Sequence, residues 1–280
     1  KNMDDFAFLI MNLMRVKPLP HIDETKGLLP IITDFVKHLQ IKDVVYKQGQ
    51  DISILVKMLT ALSAFTAQDE HGEVSMDIVI GEKIMPILSR IMNQFIHRQA
   101  GGSVTGDTEI LTPLCRIFGN FCGGSEQHTQ AILDIEGVDL LFLLANHEDE
   151  GLRKEAWFTL SNMAAGSDSQ VATLIEKGVF SRAFDIMSHT DWSIDRRGDS
   201  FYRGAPQNTK NEICWCICNP LPDPEDPGSH QAKRAITDAV LGSRHSQGGD
   251  KHDEEDRFHG VTAIFESIAV LERQVRERDG

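Results

Sequence analysis

The stretch EAWFTLSN, at residues 155–162, carries an acid, an aromatic residue three positions later and an Asn four positions beyond the aromatic. The same pattern occurs in DFAFLIMN at residues 5–12 and in EICWCICN at residues 212–219. A fourth copy, LTPLCRIFGN at residues 111–120, keeps the Asn but has Arg116 at the aromatic position. A pattern that occurs three times in full and once in part along one chain indicates a repeat protein.

The repeat has the length of a helical repeat. Asn162 follows Asn120 by 42 residues, which is within the roughly 40 to 47 residues of armadillo and HEAT repeats. A Gly followed by an apolar run recurs as well, at Gly27, Gly81, Gly137, Gly178 and Gly260. The sequence therefore predicts an all-α fold, a right-handed superhelical solenoid of armadillo repeats.

Some spacings exceed one repeat, and polar or Gly-rich stretches account for the excess. They lie near residues 43–51, 97–107 and 190–208, in each case between the second and third helix of a predicted repeat. Lengthening a loop costs little free energy. We interpret all three stretches as insertions on one edge of the solenoid.

The recurring octapeptide predicts a helix with two different faces. At about 100° per residue, Glu155, Phe158 and Asn162 lie on one side. The opposite side is apolar and carries Ala156, Trp157, Leu160, Met163 and Ala164. In residues 212–219 the same packing side carries Ile213, Cys214 and Ile217. Aromatic residues at helical spacing are commonly core residues, but their pairing with Asn on the polar side favours an exposed binding face.

Composition narrows the class of partner. The chain has 42 Asp and Glu against 28 Lys and Arg, a formal net charge of -14, which repels nucleic-acid phosphates and attracts basic segments. No apolar run reaches the roughly 18 residues of a membrane span. Five cysteines without an Asn-x-Ser/Thr sequon favour reduced thiols. We expect an intracellular protein that binds neither nucleic acid nor membrane.

Two segments carry a family resemblance. TPLCRIFGNFCGGSEQHTQAILDIEGVDLLFLL at 112–144 and RKEAWFTLSNMAAGSDSQVATLIEKGVF at 153–180 resemble consecutive repeats of importin-α, the adaptor family that recognises nuclear localisation signals. The resemblance covers roughly residues 5–219 and suggests repeats four to eight of the family's ten. It implies armadillo repeats over 1–222, a divergent linker-like segment over 223–259 and a C-terminal helix over 260–280.

The resemblance also implies the site. In that family, Asn amides along the inner groove hydrogen-bond the backbone of an extended basic peptide, and aromatic rings hold its lysine stems. The matching positions are Trp215, Asn219, Phe158, Asn162, Asn120, Phe8 and Asn12. Ser161, Glu155, Glu212 and Glu126 align with other groove residues, of which the acids would face cationic head groups. Arg116 stands where the family separates its two peptide sites.

The implied function is an adaptor for basic nuclear localisation signals in nuclear import, present in cytoplasm and nucleus, without catalytic residues or cofactor. Thr60 and Ala64 occupy the matching positions of one helix and leave it without aromatic or Asn. Importin-β would be a partner only if a basic N-terminal segment, absent from this sequence, exists. The alternative is an armadillo scaffold that has lost cargo binding and holds another protein.

The remaining motifs are interpreted without a functional role. Cys214, Cys216 and Cys218 point in different directions on a helix, because residues two apart diverge by about 200°, so a shared metal is disfavoured. The histidines at 245, 252 and 259 lie beside an acidic run in which GSRHSQGGD interrupts any helix, which indicates an exposed linker. The RGD at 197–199 is interpreted as a coincidence. We expect no metal site.

Overall fold

The computed structural model describes residues 2–18, 20–41, 50–67, 72–98, 107–188 and 207–220. Every regular element in these ranges is helical, as the sequence predicts. The chain divides into two compact units, the first ending at Leu144 and the second beginning at Ala145.

The first unit contains nine described helices in which long helices alternate with pairs of shorter ones. They are α1 (Asn2–Arg15), α2 (Ile22–Thr25), α3 (Leu29–Ile41), α4 (Gln50–Thr66), α5 (Gly72–Gly81), α6 (Met85–Arg98), α7 (Asp107–Cys122), α8 (Glu126–Leu133) and α9 (Gly137–Leu144). A 3-10 turn, Lys26–Leu28, joins α2 to α3. Helix α1 packs on α4, and α4 packs on α7. These are the third helices of successive repeats, so they form one layer of the stack.

The second unit repeats the arrangement. Its described helices are α10 (Glu150–Ala164), α11 (Asp168–Glu176), α12 (Val179–Ser188) and α13 (Gln207–Cys218). The third helices α10 and α13 pack against each other, and α12 packs on α13. Two of the three octapeptides, at residues 155–162 and 212–219, therefore lie on adjacent helices of one unit.

Burial follows the predicted division of the helix faces. On α10 the apolar side is fully buried at Ala156, Trp157, Leu160, Met163 and Ala164. On α13, Ile213, Cys214 and Ile217 are at most 5% exposed. Burial of a large apolar side chain contributes about 1.5 to 3 kcal/mol, so these faces hold neighbouring repeats together.

The start of the first helix of a repeat is built the same way in both units. Gly124 precedes Ser125, whose backbone N–H donates to His128 Nδ1 at 3.1 Å. Gly166 precedes Ser167, whose N–H donates to Gln170 Oε1 at 3.2 Å. Each Ser is the N-cap of a capping box, which satisfies amides that the helix leaves without partners. A Cβ on Gly124 would lie 2.6 Å from Met76 Cε and 2.8 Å from His128 Nδ1, so a larger residue would displace the ring of this capping box.

The turn between the first and second helices of a repeat contains a left-handed residue. It is Lys83 between α5 and α6, Glu136 between α8 and α9, and Gly178 between α11 and α12, with φ of 54°, 59° and 75°. The recurring Gly of the sequence lies at or near these turns. Gly81 instead ends α5 and Gly137 begins α9, so only Gly178 supplies the left-handed residue.

Several predictions fall wholly or mostly outside the described ranges. These are most of the three insertions, the RGD sequence, Gly260, the three spaced histidines and everything after residue 220. Of the three cysteines on α13, Cys214 and Cys216 are buried, as expected of small core side chains, whereas Cys218 is half-buried. No group of three or more His, Cys, Asp or Glu suited to a metal occurs within the described ranges. None of the described helices is both long and apolar enough to cross a membrane.

Candidate functional site

The aromatic residues of the repeated pattern are exposed. Phe158 on α10 is 41% exposed and Trp215 on α13 is 42% exposed, whereas Trp157, next to Phe158, is fully buried. The apolar core therefore does not explain these two rings. Phe8 on α1 is 54% exposed, but Leu9 beside it is equally exposed. Exposure therefore does not distinguish the aromatic position of α1 from its neighbour. We call the aromatic and Asn positions of the third helices the ladder.

The ladder asparagines connect neighbouring helices. Asn219 Nδ2 donates to the backbone carbonyl of Ser161 at 2.7 Å. Asn120 Nδ2 donates to the carbonyl of Ser63 at 3.0 Å and to Thr66 Oγ1 at 2.9 Å. Both carbonyls belong to the residue directly before a ladder position, so the register is the same in both units.

These carbonyls lie in the last turn of their helices, where the usual partner is missing. The amide of Ala165, four residues beyond Ser161, bonds Asn162 O instead. The amide of Ala67, four beyond Ser63, bonds Ala64 O. The last carbonyls of a helix need partners from outside the helix, and the Asn of the next repeat supplies one. The sequence did not reveal this structural role, because it depends on contacts between residues more than fifty positions apart.

An amide that forms such a bond can still bind a ligand. The Asn side chain has two N–H donors and an acceptor oxygen, and Asn219 uses one donor on Ser161. Asn12 donates to Phe8 O of its own helix at 2.9 Å. Asn162 is half-buried on α10 and also has an interaction partner. Asn219 is thus fixed in orientation while keeping a donor and an acceptor for a peptide backbone.

Two acids flank the exposed rings of the second unit. Burial raises the pKa of the half-buried Glu212 carboxyl on α13 above its ordinary value, Lys154 lowers it, and the negative charge of Glu155 on α10 raises it. Glu155 and Glu212 are therefore near enough to repel each other. A bound cation would relieve that repulsion.

The remaining predicted site residues lie in varied surroundings. The side chain of Ser161 is 2% exposed and its hydroxyl donates to Phe158 O at 2.8 Å, so Ser161 offers the ladder its carbonyl rather than its side chain. Glu126 is the exposed first residue of α8. Arg116 is exposed on α7.

A groove crosses the first unit where the ladder is interrupted. It has a volume of about 810 Å³, and Thr60 and Ala64 of α4 are among its lining residues together with Asn120. Small side chains at these ladder positions leave space that an aromatic ring would fill. The structure thus brings together Phe158 and Asn162 of α10 with Trp215 and Asn219 of α13. We call the ladder positions of one helix a rung. In the first unit α4 lies between α1 and α7, and its rung has no aromatic residue.

Solved structures identify the fold. A computationally designed armadillo repeat protein, made for modular peptide recognition, aligns over 95% of this chain and 98% of its own, with a TM-score of 0.59 and 14% identity. The chain has the armadillo-repeat fold. A second designed armadillo repeat protein, solved in complex with the peptide (KR)4, covers 91% of this chain and 98% of its own at a TM-score of 0.52 and 12% identity.

Sequence comparison relates this armadillo chain to importin-α at a distance. It is 24% identical to importin subunit alpha-1a of Oryza sativa subsp. japonica over 174 residues, 62% of the chain. It is 25% identical to importin subunit alpha-3 of Arabidopsis thaliana over 151 residues, 54% of the chain. The chain spans only about a quarter of the length of these relatives, 28% and 24%. No family model matches the sequence.

Proposed function

We propose that the second unit binds an extended, basic peptide along the exposed ladder of α10 and α13. The observation that carries this proposal is the exposure of Phe158 and Trp215, each four residues before an Asn, on two helices that pack together. Two rings that the core does not use, next to oriented amides, form a surface suited to a peptide backbone and its long side chains.

Geometry sets the register of the bound peptide. Packed helices lie about 8 to 10 Å apart, and an extended chain advances about 3.3 Å per residue. Adjacent rungs would therefore contact every third residue of the bound peptide. The Asn219 amide would bond the peptide backbone. A lysine or arginine stem would lie against the Trp215 indole, with a weaker cation-π contact at Phe158.

Charge selects a basic peptide. Glu155 and Glu212 repel each other across the ladder, and the chain as a whole carries a net charge of -14. The solved complex of a designed armadillo protein with (KR)4 supports this choice, because it shows that the fold accommodates an alternating Lys/Arg peptide.

The similarity to importin subunits supports a cellular role for such binding. We infer a non-enzymatic adaptor that recognises basic nuclear localisation signals and is found in the cytoplasm and nucleus. Importin-β would join through a basic segment preceding the repeats in a longer chain.

Isothermal titration calorimetry with a Lys/Arg-rich octapeptide tests the proposal. Trp215→Ala should weaken binding about tenfold, because a ring over a cation contributes up to about 2 kcal/mol when desolvated. Leu143→Ala is the matched control, since Leu143 is 46% exposed and lies off the ladder. Equal peptide affinity of the wild-type and Trp215→Ala proteins would contradict the proposal.

A second candidate is an armadillo scaffold that has lost basic-cargo binding. The interrupted rung at Thr60 and Ala64 favours it, because a continuous basic-peptide groove needs every rung. This alternative predicts no difference between Lys/Arg-rich and neutral peptides in the same titration.

A further inference from the structure

The groove of the first unit differs in charge from the rest of the molecule. Arg15 at the end of α1, Lys17 just after it and Arg116 on α7 all line it, with Glu109 as the one acid among the described lining residues. Three cations against one acid is the reverse of the chain's overall excess of acids. A local positive potential in an acidic protein selects anionic ligands and repels basic ones.

Two of these cations form no ion pair with a carboxylate of the described ranges. Arg15 and Lys17 are exposed, and no described carboxylate forms an ion pair with either of them. By contrast, Lys57 of the same unit is paired with Asp4 at 2.6 Å. The charges of Arg15 and Lys17 can therefore meet a ligand without breaking an ion pair between described residues.

The shape of the groove suits an extended chain. Thr60 and Ala64 lie four residues apart on α4 and form a floor of small side chains. Asn120 stands at the groove as well, and its Oδ1 can accept a peptide N–H because its two donors are used by Ser63 and Thr66. An amide that can bind a backbone, in a groove lined by three cations, fits a peptide better than a small anion.

We infer that this groove binds an extended acidic peptide, rich in Asp or Glu, with its carboxylates at Arg15, Lys17 and Arg116. Nucleic acid is the weaker fit, because Asn120 Oδ1 can accept a peptide N–H, whereas a phosphate oxygen has no hydrogen to donate to it. The inference is independent of the basic-peptide proposal: it concerns the other unit, other residues and a ligand of opposite charge.

The experiment measures fluorescence anisotropy of labelled (Glu-Ser)4, (Gln-Ser)4 and (Lys-Ser)4 peptides on the full chain. Alternate residues of an extended peptide face the same side, so this spacing presents a row of carboxylates. The measurement uses the Trp215→Ala protein, in which the basic-peptide ladder of the second unit is weakened. In that protein we expect the Glu peptide to bind at least about tenfold more tightly than either other peptide.

Two variants locate the binding. The triple change Arg15→Gln/Lys17→Gln/Arg116→Gln should weaken the Glu peptide about tenfold, given the modest contribution of each exposed ion pair. Thr60→Phe should also weaken it, because the ring fills the floor without changing charge. The matched control is Lys26→Gln/Arg90→Gln/Lys177→Gln, which removes three exposed cations outside the groove lining and should leave binding unchanged.

Any of three results would overturn the inference. The first is equal binding of the Glu and Gln peptides. The second is an equal loss in the control triple variant, which would indicate non-specific attraction. The third is displacement of the Glu peptide by an equimolar single-stranded oligonucleotide, which would assign the groove to nucleic acid.

Discussion

The side-chain amide of Asn219 donates a 2.7 Å hydrogen bond to the carbonyl of Ser161, in the last turn of the preceding third helix. Asn120 does the same to Ser63 in the other unit. One Asn therefore has two tasks, because it closes the end of a neighbouring helix and also presents its remaining polar atoms to the groove. Binding and stability are linked at this position.

Replacing that Asn should cost stability. Asn219→Ala removes the partner of the Ser161 carbonyl, and we expect the free energy of unfolding to fall by about 1 to 2 kcal/mol, the cost of leaving such a group unsatisfied. Urea denaturation followed by circular dichroism measures it. Asn12→Ala is the control, since Asn12 is exposed and bonds its own helix; an equal loss in both variants would contradict the capping role.

The two neighbouring tryptophans should separate stability from binding. Trp157→Ala empties a fully buried site and should lower the free energy of unfolding by about 3 to 5 kcal/mol. Trp215→Ala should change it by no more than about 0.5 kcal/mol, as for an exposed residue, while weakening the basic peptide. Thermal unfolding of both variants checks this, and a large stability loss in Trp215→Ala would place that ring in the core.

The left-handed turns predict opposite effects of glycine. Gly178→Ala should destabilise the chain by about 1 kcal/mol, since an L side chain is disfavoured at φ of 75°. Glu136→Gly should stabilise it by about 0.5 kcal/mol, because it relieves that cost at φ of 59° and loses some of the gain to backbone entropy. Melting temperatures that move in the same direction for both substitutions would refute the comparison.

Glu212 should make peptide binding depend on pH. Burial raises its pKa above the ordinary value of 4.5, so the carboxyl gains a proton at higher pH than an exposed Glu. The affinity for a basic peptide should therefore fall as pH is lowered towards that raised pKa, and Glu212→Gln should flatten the profile. Calorimetric titrations between pH 7 and about pH 4.5 measure both; a profile unchanged by Glu212→Gln would exclude this carboxyl from the site.

The same shift has the opposite consequence for folding. Because the folded state holds the Glu212 proton more tightly than the unfolded state, this group's contribution to stability is greatest below the unfolded pKa and is lost as pH rises through the folded pKa. At neutral pH, Glu212→Gln should thus be neutral to slightly stabilising. Glu155→Gln should lower the pKa of Glu212, because it removes the neighbouring negative charge.

The sequence predicted the ladder face because that face follows from helical period alone. Trp157 and Phe158 are adjacent in sequence, yet one is buried and the other exposed, as the 100° rotation per residue requires. The interrupted rung at Thr60 was likewise readable from the repeat. Local spacing is sufficient for such features, because they depend on one helix at a time.

Other features depend on distant contacts, and sequence patterns did not reveal them. The capping of Ser161 by Asn219 joins residues 58 positions apart. The cationic groove joins Arg15 of α1 to Arg116 of α7, and the sequence singled out Arg116 alone, without its neighbours in space. The left-handed Glu136 was hidden because the neighbouring Gly137 is the more obvious candidate for such a turn.

The most direct test of the basic-peptide ladder is an NMR titration of the chain labelled with 15N at its tryptophan indoles, with a Lys/Arg-rich octapeptide added. Trp215→Phe and Trp192→Phe variants together assign the signals of the three tryptophans. The account predicts a saturable shift of the Trp215 indole Nε1–H while the buried Trp157 signal stays nearly in place. A peptide that binds to saturation and leaves the Trp215 signal unmoved would contradict it.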